Sequence, residues 1–169
     1  MAWRWLQRLW RPYQPVGELG SLASGRDRRV EIEGRVEAVG QLLDPLSGDA
    51  CIALEYHAWP PATTMGVDGA NAHSGRAYQV NARQAVEFML VDAGARVLVR
   101  PDLGEDVAGL HQRLLERYGV GLRAETERVM VGQRLRVAGE VLHRRGGPGT
   151  PHRELPYGAI VRAERIRVI

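Results

Sequence analysis

The chain has 169 residues, 44% of them hydrophobic, which is enough for one substantial core and hardly two. Its 23 basic residues are nearly balanced by 20 acidic ones, and a formal charge of +3 excludes a polycationic nucleic-acid tail. A single cysteine, Cys51, excludes an internal disulfide framework and a thiolate-rich metal site, and suits a reducing cytoplasm. No apolar run approaches the roughly 18 residues of a spanning helix, and no signal-peptide core follows the first arginines, so the chain is expected to be cytoplasmic and not to cross a membrane by itself. Every basic residue is arginine, which together with the many Ala, Gly and Val points to a GC-rich bacterial genome.

Residues 1–12 predict an amphipathic helix. In Ala2 to Arg11 the helical period places Trp3, Trp5, Leu6, Leu9 and Trp10 on one face and Arg4, Gln7, Arg8 and Arg11 opposite, with Pro12 and Pro15 ending it. Indole on one side and arginine on the other suit a helix lying at an anionic membrane surface, with Trp3, Arg4, Trp5, Arg8, Trp10 and Arg11 as the contacts. The same face equally suits packing on the domain itself or on a partner chain.

Residues 13–29 read as a linker, and the domain is expected over 30–169. Val30 to Val39 alternates apolar Val30, Ile32, Val36 and Ala38 with charged residues, the period of a half-buried strand, and Gly34 at an inward position predicts a bulge or tight bend. Asp44, Pro45, Ser47, Gly48 and Asp49 form a turn that feeds a strand over Ala50 to Trp59, where Ile52, Leu54, Tyr56 and Ala58 share a side and Glu55 and His57 take the other. Residues 60–77, rich in Gly, Ala and Thr, read as a long loop, and His73 in it as a solvated histidine.

Tyr78 to Asp92 predicts one or two strands, and Asp92, Ala93 and Gly94 a hairpin turn into Ala95 to Pro101. Asp102, Gly104, Glu105 and Asp106 then open a helix with the stripe Val107, Leu110, Leu114 and Tyr118, ended by Gly119 and Gly121; the acidic residues read as capping rather than as a metal or acid–base cluster. Arg134 to His143 is a strand, Arg144 to Pro156 a Gly/Pro loop, and Ala159 to Ile169 a final strand tied into the sheet. Val36, Ile52, Leu54, Phe88, Leu90, Val97, Val99, Leu135 and Val137 are expected in one barrel core, with Leu110 and Leu114 covering an opening. The pattern is mainly β, a single small barrel with one packed helix.

Catalytic chemistry finds little support. Cys51 lies in an apolar strand without a local histidine and reads as a packed thiol. His57, His73, His111, His143 and His152 lack zinc-site spacing, although His143 and His152 flank one loop, and no glycine-rich phosphate loop is present, so no metal or cofactor is expected. Arg144, Arg145 and Arg153, with Arg123 and Arg128, offer an anion-contact set for a polyanion such as single-stranded nucleic acid, but 6% aromatic residues give no evident stacking platform.

In order, Gly34, Asp44-Pro45-Leu46-Ser47-Gly48, Cys51 and Tyr56 resemble the GIDE domain, also called BAM or "beside a membrane", of mitochondrial RING ubiquitin ligases and bacterial membrane proteins. Phe88 to Asp92 with Gly94, Val97-Leu98-Val99, and Glu127, Gly132 and Gly139-Glu140-Val141 resemble its later segments, so the likeness covers roughly Val30 to Leu142. It implies a small OB-like barrel with no established active site; the chain is accordingly expected to be a non-enzymatic interaction or scaffolding module with a protein partner, docked at the cytoplasmic membrane surface. The family's RING Cys/His array and flanking transmembrane helices are absent from this sequence, which removes ubiquitin transfer. An OB-type binder of single-stranded nucleic acid or another anionic polymer is the alternative.

Overall fold

The computed structural model describes residues 19–23, 28–61, 79–144 and 157–169. Among these, β1 (Arg29–Ala38), β6 (Phe88–Asp92), β7 (Ala95–Arg100), β9 (Arg134–Arg144) and β10 (Ala159–Val168) close into a barrel in the order β1-β6-β7-β10-β9, with β7 and β10 parallel and the other neighbours antiparallel. A second sheet, absent from the expectation, is built from β4 (Ala53–Trp59) between β5 (Val80–Ala85) and β8 (Arg123–Val129). β8 was missed because its alternation is Ala124 and Thr126 against charges, too weakly apolar to read as a strand. The short strands β2 (Leu42–Leu43) and β3 (Ala50–Cys51) pair across the Asp44 turn.

Period-two alternation places the barrel core where the sequence put it: Val36, Ile32, Phe88, Leu90, Val97, Val99, Leu135 and Val137 are all essentially inaccessible and form one cluster with Ile52 and Val161. Leu54 is a correction. The chain bends at Ile52, leaving Ile52 and Ala53 in the barrel core, whereas Leu54, Tyr56 and Ala58 turn to a separate cluster on the second sheet. The helix α1 (Val107–Tyr118) is also corrected: Val107, Leu110 and Leu114 cover that second cluster and not a barrel opening. The helix is carried there because Val107 N–H donates to Gln84 Oε1 of β5 (3.1 Å), while Asp106 caps it by accepting from Gly109 N–H (3.0 Å). Gly119 ends it, as expected.

Part of the presumed linker belongs to the core. Leu19 and Leu22, in a single 3-10 turn (Leu19–Ala23), are 4% and 5% exposed and join the barrel cluster. Gly34 makes no bulge; it keeps register opposite Leu135, and a Cβ there would crowd the Val91 carbonyl oxygen, Leu90 and Leu19 at 3.1–3.2 Å. The irregularities fall instead in the β9–β10 ladder, where Gly139 lets the Arg162 carbonyl approach so closely that any side chain would collide with it. At the C-terminus Ile169 N–H donates to the Arg134 carbonyl (3.1 Å), so the last residue is tied to the barrel while its side chain stays exposed.

The β6–β7 hairpin has a two-residue loop in which Ala93 (φ 45°) and Gly94 (φ 82°) both take positive φ, a type I′ turn. Alanine carries a Cβ penalty there that glycine and asparagine largely avoid. Ala93→Asn is therefore expected to stabilise the protein by about 0.5–1 kcal/mol. A urea midpoint equal to or below that of the wild type would show that the turn is not strained.

Candidate interaction surfaces

Asp44 is the buried charged residue of the described structure, 2% exposed. Its carboxylate accepts from Leu46 N–H (2.9 Å), Ser47 Oγ (3.0 Å) and, across to β8, Thr126 Oγ1 (2.8 Å), with the Arg128 guanidinium at 3.1 Å. Burial pushes its pKa up, but the three hydrogen bonds and Arg128 outweigh that and hold it below the ordinary carboxylate value. Arg128 also binds Asp49 (2.6 Å) and Ser47 (2.5 Å), so this arginine pins the turn onto β8.

Beneath the turn, Cys51 and Tyr56 are fully buried, and the Tyr56 hydroxyl and His111 Nδ1 of α1 are hydrogen-bonded at 2.8 Å. Burial raises the Cys51 and Tyr56 pKa values, while for His111 burial depresses the pKa against the opposing pull of Asp44. A thiol held neutral and out of reach of solvent is a poor nucleophile. The bonded Tyr56–His111 pair locks helix to sheet, a role no sequence signal announced because the partners lie 55 residues apart.

The opposite face of the second sheet carries Glu55, His57 and Trp59 on β4, Asn81 and Arg83 on β5, and Arg123, Glu125 and Glu127 on β8. His57 Nδ1 contacts Asn81 Oδ1 at 2.7 Å, its Nε2 lies 3.7 Å from Glu55, and its ring stacks on Trp59. Three carboxylates stand against Arg83 and Arg123 on this face, so it is not a basic patch. Among the described residues no group of His, Cys, Asp and Glu is placed to hold a metal ion.

A different surface lies outside the barrel. Cross-strand register lines up Glu37 of β1, Met89 of β6, Leu98 of β7, Ile160 of β10 and His143 of β9 in one row, all on the face opposite the core residues Leu90, Val97 and Val161. Met89, Leu98 and Ile160 form a cluster of their own, 7%, 5% and 8% exposed, with Val91 and Tyr157 packed against it. The arginines around this face meet carboxylates: Arg96 with Glu37 (3.2 Å), Arg100 with Glu87 (2.7 Å), and Arg162 with Glu140. Sequence reading missed the row because strict alternation directs attention to the inward set.

Of the expected contact residues, Trp3, Arg4, Trp5, Arg8, Trp10, Arg11, Arg145 and Arg153 lie outside the described residues, as does most of the long loop that contains His73. Arg144, at the end of β9, donates to the Leu22 carbonyl and thereby holds the 3-10 turn against the barrel. His143 and Arg144 are thus at the barrel wall, and His152 is outside the described residues. No described helix is long and apolar enough to cross a membrane.

The fold and its surfaces define a closed five-stranded β-barrel with an appended three-stranded sheet and one helix. Comparison with family models, curated proteins and solved structures returns no match to this chain.

Proposed function

We propose that the chain is a non-enzymatic interaction or scaffolding module, built on an OB-type barrel of the GIDE/BAM kind and working beside a membrane surface. Counting barrel strands only, the closed order is first, second, third, fifth, fourth, with the third and fifth parallel, which supports the OB-type reading. OB barrels take ligands on the face of their second and third strands, here β6 and β7. The observation that carries the functional reading is the composition of that face. Met89, Leu98 and Ile160 form a buried aliphatic cluster where a nucleic-acid binder would present stacking rings, and the arginines at its margins are matched by Glu37, Glu87 and Glu140. An aliphatic wall framed by paired charges suits contact with polypeptide better than with a polyanion, and the buried thiol of Cys51 supports a role without covalent chemistry.

Fluorescence anisotropy with labelled oligo-dT and oligo-U, at low and at moderate salt, separates the two binding classes. The expected result is no binding at micromolar protein even at low salt. Binding that weakens steeply with salt would replace this reading with the polyanion-binding one.

A further inference from the structure

We infer that β8 is the seat of a two-fold dimer: the open edge of the second sheet pairs antiparallel with the same strand of a second copy, joining the two sheets into one. The first observation is that the sheet's two edges differ. The segment after β7 closes the β5 edge, with Ala85 N–H donating to the Leu103 carbonyl (3.0 Å), Glu105 N–H donating to the Arg83 carbonyl (2.8 Å), and a bridge between Gln84 and Gly104. Among the described residues β8 pairs with β4 alone, and alternate N–H and C=O groups of a strand point away from such a neighbour. Exposed edges are commonly blunted by proline, lysine or a bulge. Arg123–Val129 has no proline or lysine and keeps register with β4 throughout.

The second observation is charge. The outward side chains Arg123, Glu125 and Glu127 are exposed and make no ion pair among the described residues. Laid antiparallel on its own copy and centred on Glu125, the strand sets Arg123 opposite the copy's Glu127, and Glu127 opposite the copy's Arg123. The small residues Ala124 and Thr126 then face one another on the side that carries α1. Other registers are worse. A slip of one residue turns the charged row toward the α1 side. A slip of two either opposes Glu125 with Glu127 or leaves only Arg123, Ala124 and Glu125 of the strand paired. The central Glu125 meets its own copy, a like-charge contact that keeps the dimer weak and reversible.

The third observation is apolar. Val120, just before β8, and Val131, just after it, are exposed, and so are Leu43 and Leu46 in the turn segment that Thr126 and Arg128 hold. Single exposed aliphatic residues are ordinary, but these four border one strand. The antiparallel alignment carries each Val120 toward the end of the ladder where the copy's Val131 stands, so the charged row gains an apolar contact at both ends. The two-fold axis uses the same edge on both copies, and assembly therefore stops at two. This self-association stands apart from the choice of external partner.

The test is sedimentation velocity of the full chain from low micromolar to several hundred micromolar protein. Expected is a concentration-dependent rise from monomer to dimer and no further. Arg123→Glu and Glu127→Arg each set like charges opposite one another at both pairs, and each is expected to weaken association about tenfold. An equimolar mixture of the two variants is expected to restore it, because every pair across the heterodimer is again of opposite charge. Glu125→Gln is expected to tighten the dimer severalfold. All three side chains are exposed, so far-ultraviolet circular dichroism should not change. A chain that stays monomeric throughout, association indifferent to both charge variants, or a mixture no tighter than its components overturns the inference. Growth beyond the dimer overturns the two-fold seat, and the oligonucleotide assay bears on none of these readouts.

Discussion

Phe88→Ala is expected to lower stability by about 3–5 kcal/mol, the cost of emptying a large, well-packed apolar site. Phe88 is the sole phenylalanine of the chain, fully buried, and paired across the barrel wall with Ala38 and Val99. For a domain of this size each kcal/mol shifts the melting midpoint by roughly 2–4 °C, so a fall of about 10 °C is the readout. Leu103→Ala, at a residue 58% exposed, serves as the control and is expected near zero. Equal effects of the two substitutions would contradict the barrel core.

Asp44→Ala is expected to cost about 3 kcal/mol at neutral pH, because it removes a buried carboxylate that satisfies Leu46 N–H, Ser47 and Thr126 and leaves Arg128 without its inner partner. The sign of the pH dependence follows from the direction of the shift. The folded-state pKa lies below the unfolded value of about 3.9, so the native state favours the ionised form more strongly than the unfolded chain does. The stabilisation is therefore fully present above that unfolded value and is lost as pH falls through the lower folded value. Urea midpoints of the wild type and of Asp44→Asn are expected to lie far apart at pH 7 and to converge as the wild-type carboxylate protonates. A gap independent of pH would assign the residue a purely steric role.

The surfaces divide the molecule by charge and polarity. One face of the second sheet is acidic, and the outer barrel wall is aliphatic with matched ion pairs. Arg128 and Arg144, two arginines that looked free for an anion, are engaged with the Asp44 turn and with the Leu22 carbonyl. A long, flexible cation is read from sequence as solvent-facing, but burial of a neighbouring carboxylate or carbonyl draws it inward. For that reason two of the arginines offered for an anion, Arg128 and Arg144, hold the fold together, while Arg145 and Arg153 lie outside the described residues.

The sequence by itself determined the features that are settled within about ten residues. Alternation around Val36, Leu90, Val97 and Val137 set which side chains face inward, because a strand's two faces follow from its period. The Asp92–Gly94 turn, the Asp106 cap and the Gly119 stop were legible because φ preferences and short side-chain hydrogen bonds act locally. Only the tertiary structure decided which strands share a sheet. Ile52 and Leu54 have similar side chains two residues apart, and it is the bend at Ile52 that sends one to the barrel and the other under α1. Leu19 and Leu22 lacked a periodic neighbourhood, and their burial arises from the open barrel mouth they fill. The row Met89–Leu98–Ile160 exists only through register, since one residue from each of three strands becomes a surface when pairing brings them side by side. Pairing partners are chosen by contacts across the whole chain, and no local pattern encodes them.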